Sequence, residues 1–165
     1  MWGVHLVDAY INELVRKKEI PGAVLIVQQH HKRILSRSYG AFTAQDGSKQ
    51  PILSQTLFDV ASLTKVVATL PATLLLLSRQ QMTVDDKVQT YLPNFKYANI
   101  TIQHLLQHNS GLPADLMPVV KRYHQRDIMT EIFSSKVVFQ PGKQVLYSDL
   151  GMILLGKVIE IVSGR

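Results

Sequence analysis

Between Val4 and Val15 the apolar residues fall at Val4, Val7, Ile11, Leu14 and Val15, three or four apart, which gathers them onto one face of an α-helix. The pattern predicts a first amphipathic helix, stopped by Pro21-Gly22. A β-rich segment, Ala23 to Gln28, follows; then the polar His30-His31-Lys32-Arg33; then Ile34 to Tyr39, ending at Gly40. Two such runs around a short polar break predict a β-hairpin. Because two strands alone are marginal in water, the hairpin needs the helix on one face and further strands at an edge. Beyond Pro51 no segment alternates well enough to supply them.

Beyond Pro51 the pattern becomes helical. One helix is expected from near Ser62, where Asp59 is placed to accept from the first amides, to about Gln81, with a bend near Pro71, whose ring clashes with the preceding turn. A short helix is expected to start at Thr83-Val84-Asp85-Asp86 and end at Tyr91-Leu92-Pro93. Another covers Thr101 to His108 and is closed by Asn109-Ser110-Gly111. Two more are predicted over Tyr123 to Phe133 and Asp149 to Val162. The change of character divides the chain into residues 1–58, the first helix and strands, and residues 59–165, mostly helical.

With 165 residues and 46% hydrophobic composition, the chain can bury a real apolar core. The excess of 18 basic over 12 acidic residues gives +6, but the basic residues are scattered and form no stripe that would track a phosphate backbone, so no nucleic-acid partner is expected. Without cysteine there are no disulfides, thiolate metal sites or cysteine nucleophile. Met1 to His5 shows no signal-peptide pattern, and the apolar run Leu70 to Leu77 is too short to span a bilayer. The compartment is left open.

Ser62-Leu63-Thr64-Lys65 is the chemically distinctive stretch. On a helix, residues three apart share a face, so the hydroxyl and the amine can touch. A serine needs a neighbouring base to become a nucleophile, and a lysine serves as one only when its pKa is lowered. A helix start also offers unpaired amides to a developing oxyanion. The second element is Tyr147-Ser148-Asp149, after the turn Gln140-Pro141-Gly142-Lys143: a phenol, a hydroxyl and a carboxylate at a helix start, suited to a proton relay and to accepting from a substrate amide, although Asp149 also fits an N-cap. His104 and His108 are four apart as in a zinc pair, but Leu105 stands where the metalloprotease pattern needs Glu, so no metal is expected. His108 reads instead as favouring a helix C-terminus, and Gly111 as a left-handed closing residue.

Thr56 to Lys65, Met82 to Asp86, Ile100 to Pro113 and Gln140 to Gly151, in this order, resemble the class C β-lactamase-related serine hydrolases and penicillin-binding proteins, of which the chain corresponds to the amino-terminal part. The resemblance implies an α+β, β-lactamase/transpeptidase-like fold: an antiparallel sheet with flanking helices plus a helical subdomain, the sheet incomplete in this chain. It implies that Ser62 is acylated, Lys65 accepts a proton and Tyr147 is the second acid/base group, with Asp149 facing the substrate. The implied substrate is a β-lactam, a D-amino-acid peptide or an ester, and no cofactor is called for.

Two departures stand out. Asp149 occupies a position where the family often has Asn, replacing an amide donor by an acceptor. No Lys-Thr-Gly-like strand precedes Arg165, so the resemblance implies only half of an oxyanion hole in this chain, a difference of about 2 to 4 kcal/mol of transition-state stabilisation. A non-catalytic sensor or interaction module of this fold, or an inactive truncated fragment, is therefore the rival reading. An unfinished sheet also predicts self-association or strand exchange.

Overall fold

The computed structural model describes residues 2–116 and 127–165. The chain forms two compact units, Met1–Asp59 and Val60–Arg165.

In the first unit, helix α1 (Trp2–Arg16) is followed by β1 (Gly22–Gln29) and β2 (Lys32–Thr43), antiparallel in the register Gly22↔Gly40 to Gln29↔Lys32, with a bulge at Val27/Gln28. The turn is only His30-His31, both with positive φ of 48° and 63°, the backbone of the tight hairpin turn whose twist matches the strands. Lys32 and Arg33, expected in the turn, are strand residues. Gly40 (φ +76°) lies so close to Pro21 that a Cβ would sit 2.2 Å from the Pro21 carbonyl oxygen, so only glycine fits. The further strand that the hairpin needs comes from the stretch ending at Pro51: β2 runs on past Gly40, and β3 (Lys49–Pro51) pairs with it through Ala41↔Pro51 to Thr43↔Lys49, giving the order β1-β2-β3. A three-residue strand is too short for alternation to show in sequence. Helix α1 is tied to β2 through Asp8, which accepts from Tyr39 Oη (2.7 Å) and pairs with Arg37 (2.6 Å).

The second unit opens with a continuous helical path: a 3-10 turn (Ala61–Leu63), a π-helical turn (Lys65–Thr69) and α2 (Leu70–Ser78). Its cap position is Val60, which makes no side-chain cap bond. The irregularity expected at Pro71 takes the form of the π turn just before it, where the Leu70 N–H reaches back to the Lys65 carbonyl. Pro71 has no N–H to give the Val67 carbonyl, and the ladder widens there. Taken whole, Ala61–Ser78 is 18 residues long with a mean hydropathy of 1.5, long and apolar enough to cross a membrane, as the core helix of a soluble protein also is. The Leu70 to Leu77 run judged alone understates this helix.

Helices α3 (Val88–Tyr91), α4 (Ile102–Leu106), α5 (Ile128–Ser134) and α6 (Asp149–Ser163) complete the described elements. Thr83 to Asp86, expected to begin a helix, is a turn. The Asp86 carboxylate accepts from Thr83 N (2.7 Å), Thr83 Oγ1 (2.8 Å) and Tyr91 Oη (2.5 Å), local bonds that compete with the helical ladder. Of the helix expected over Tyr123 to Phe133, Tyr123 to Arg126 lie outside the described residues. The core of this unit gathers Val88, Phe95, Ile100, Ile102, Leu105, Leu112 and Ile132 around the buried stripe Leu150, Leu154, Leu155 and Val158 of α6, a helical period read directly from the sequence.

Candidate active site

Two backbone segments of the second unit run side by side and present the chemical groups. The carbonyls of Gly111, Asn109, His108 and Ala114 accept from the amides of Val138 (2.8 Å), Gly142 (2.8 Å), Leu146 (2.8 Å) and Asp149 (2.8 Å). The His-Asn-Ser-Gly-Leu-Pro stretch is thus the support on which Tyr147-Ser148-Asp149 is laid. Gly111 (φ +80°) is required at the crossing, because a Cβ there would meet the Phe139 carbonyl oxygen at 2.2 Å. Ser148, and not Asp149, caps α6. Its Oγ accepts from Gly151 N (3.2 Å) and donates to the Pro113 carbonyl (2.6 Å). The Asp149 carboxylate is left to face Lys65.

Ser62 lies in the 3-10 turn directly after Ala61, which holds a left-handed φ of 45° without being glycine, a strained entry of the kind that collects at functional sites. Lys65 Nζ donates to Ser62 Oγ at 3.1 Å, as the three-residue spacing predicts, and pairs with Asp149 Oδ1 at 2.6 Å. It lies 4.9 Å from the centre of the Tyr147 ring. The Lys65 side chain is only 15% exposed, against 46% for Asp149. Ser62, Lys65, Tyr147 and Asp149 are therefore all brought together.

The electrostatics differ from what a lysine base requires. Asp149 first, then the Tyr147 hydroxyl, raises the pKa of Lys65 above its ordinary value, and desolvation does not reverse this. Lys65 is a held ammonium. Hydrogen bonds from Lys65 first, and Ser62 second, lower the pKa of Tyr147. The two shifts act together, toward a charged Lys65 and an easier loss of the phenol proton.

His108, read from the sequence only as a residue that ends a helix, also belongs to this site. It lies beyond the end of α4 with a left-handed φ of 54°. Its ring stacks on that of Tyr147, with centroids 4.6 Å apart and planes at 30°, and Nδ1 accepts from Ser148 N at 3.1 Å. Burial first, then the Lys65 charge, lowers its pKa and favours the neutral ring. His104 is occupied in the capping box of α4, its Nδ1 accepting from Thr101 N at 3.1 Å. A pocket of about 190 Å³ beside Ser62 has apolar walls of Val66, Leu70, Leu106 and Met152, with Lys65, His108 and Tyr147 at its polar side. A hydroxyl, a cation and an acidified phenol around a small apolar pocket suit acyl chemistry on a compact group.

The family model described as Beta-lactamase matches residues 7–165. An N-acetylmuramyl-L-alanine amidase of Bacillus subtilis (strain 168) is 34% identical over 88% of this chain and 38% of its own length. Esterase EstB of Burkholderia gladioli is 29% identical over 96% of this chain and 45% of its own. Among solved structures, a class C β-lactamase superposes with a TM-score of 0.69 at 28% identity, covering 96% of this chain and 44% of that one. The chain thus spans less than half the length of the relatives it matches, and its fold is that of the β-lactamases and transpeptidases.

Proposed function

The chain belongs to the β-lactamase family, and on that premise we propose that it is the serine-bearing part of a hydrolase or acyltransferase that works through an acyl-enzyme on Ser62. The observation that carries the reading is the 3.1 Å contact between Lys65 Nζ and Ser62 Oγ, beside a phenol whose pKa is lowered by both residues. In this reading Tyr147, as phenolate beside the Lys65 ammonium, takes the proton from Ser62 Oγ while Oγ bonds to the acyl carbon and the carbonyl electron pair moves onto oxygen. Return of that pair expels the leaving amine or alkoxide, which receives the proton from Tyr147. A water or another acceptor then repeats the sequence in the opposite sense and frees Ser62. Lys65 holds its charge throughout, offsetting the negative charge on Tyr147 and orienting Ser62.

The small apolar pocket beside Ser62 suits a β-lactam, a D-amino-acid peptide or a short ester. Asp149 favours substrates that offer a donor, since its carboxylate only accepts. Intact-mass spectrometry after exposure to a penicillin should show one acyl adduct on the chain and none on Ser62→Ala. An adduct that survives in Ser62→Ala overturns the assignment. The Lys65–Asp149 ion pair favours the second reading, a binding module that holds acyl compounds without turning them over. In that case the penicillin binds with no gain in mass.

A further inference from the structure

Among the described residues, His108 alone holds the chain on both sides of Tyr147 through hydrogen bonds of its own. Its carbonyl accepts from Leu146 N at 2.8 Å and its Nδ1 accepts from Ser148 N at 3.1 Å, while its ring lies against the phenol at 4.6 Å. Both bonds depend on a backbone conformation that a non-glycine residue seldom takes: at φ 54° the main-chain oxygen and the side chain point toward the same neighbouring segment. We propose that His108 is the positioning residue of Tyr147, a clamp whose neutral, Nε2-protonated imidazole fixes where the phenol stands relative to Ser62 and Lys65. The proposal rests on the reading of Tyr147 as the proton-handling group.

The chemistry is specific about what is needed. A backbone N–H requires a lone pair, so Nδ1 must carry no proton and the ring proton must sit on Nε2. The groups that face the ring, Lys65 from the π turn and Tyr147 and Asp149 from the segment entering α6, include one held cation, which disfavours a second positive charge on His108. Asparagine reproduces both requirements, since its side-chain oxygen stands in for Nδ1 and it tolerates the left-handed region. Glycine meets the backbone requirement alone.

The test is an NMR titration of Tyr147 in the intact chain labelled with ring ¹³C-tyrosine, the signal assigned by its loss in Tyr147→Phe. Wild type and His108→Asn should titrate together below the ordinary phenol range, and His108→Gly should move upward toward it. A Tyr147 titration unchanged in His108→Gly, or shifted equally in both variants, overturns the proposal. Should His108→Gly fail to fold, ¹⁵N correlation spectra of the wild-type imidazole decide, since a ring protonated on Nδ1 at neutral pH is incompatible with the clamp. Failure of the acyl-enzyme reading is seen separately, as absence of a penicillin adduct on Ser62, and leaves the His108–Tyr147 titration coupling as it is.

Discussion

The Lys65 ammonium stands among three oxygens, those of Ser62, Tyr147 and Asp149, and Asp149 has the largest hold on it. The consequence is a pattern of charge that a four-residue motif does not reveal. Spacing says that a hydroxyl and an amine meet; only the partners decide which is charged. Replacing Asp149 with Asn removes the foremost cause of the raised Lys65 pKa and also the negative charge that opposes ionisation of Tyr147. Both groups should then titrate at lower pH than in the wild type, read by ¹⁵N-lysine and ¹³C-tyrosine NMR. A Lys65 titration that stays where it was would mean that the ion pair does not govern its charge. His108 teaches the same lesson from the other side, because its partner amide is 40 positions away and no local pattern ties the two together.

Among the elements, the turn Thr83 to Asp86 shows how side-chain bonds override a helical pattern. Asp86 gathers three donors there, one of them Tyr91 Oη. Burial, then that bond, pushes the Tyr91 phenol up to about 12. The folded value lies above the unfolded one near 10, so the native state holds its proton longer. This contribution to stability is present in full below about pH 10 and lost as pH rises through about 12. Urea unfolding of Tyr91→Phe should show stability lower by about 1 kcal/mol at neutral pH and a flatter alkaline decline than the wild type; an identical decline would detach Tyr91 from it. The Asp86 carboxyl, lowered chiefly by Tyr91 and the Thr83 amide, acts in the opposite direction, its contribution present above the ordinary carboxylate range and lost as pH falls through the lowered value. On α6 the wholly buried Leu154 carries the packing. Leu154→Ala should lower unfolding stability by about 2 to 5 kcal/mol, and a loss under 1 kcal/mol would mean that the cavity collapses without penalty.

For the whole molecule the two units carry different kinds of information. In the first, the sheet is held by strand pairing and by the Asp8 bridge to Arg37 and Tyr39. In the second, a single apolar core sits behind the candidate site. Its helical entry leaves Leu63, Val66, Val67 and Leu74 more than half exposed, and exposed apolar residues of this kind favour association. The chain should therefore associate with itself as concentration rises. Sedimentation velocity across a wide concentration range checks this, and a single folded monomer throughout would contradict it.

The sequence by itself determined what depends on neighbours along the chain. The three-and-four period sets α1 and α6, the alternation and polar break set β1 and β2, and the Ser62–Lys65 spacing sets a contact one helical turn long. Pro71 likewise announced an irregularity, though not its π form. Only the tertiary structure decided the rest: the short β3, which exists because β2 offers it an edge; the Ser148 cap that releases Asp149; the charge on Lys65 and the acidity of Tyr147; and the clamp at His108. Apart from β3, whose partner strand lies close in the chain, each of these depends on groups distant in sequence, on their distance in space and on how far packing removes them from water. Those quantities are properties of the folded surroundings, and a residue's own identity does not contain them.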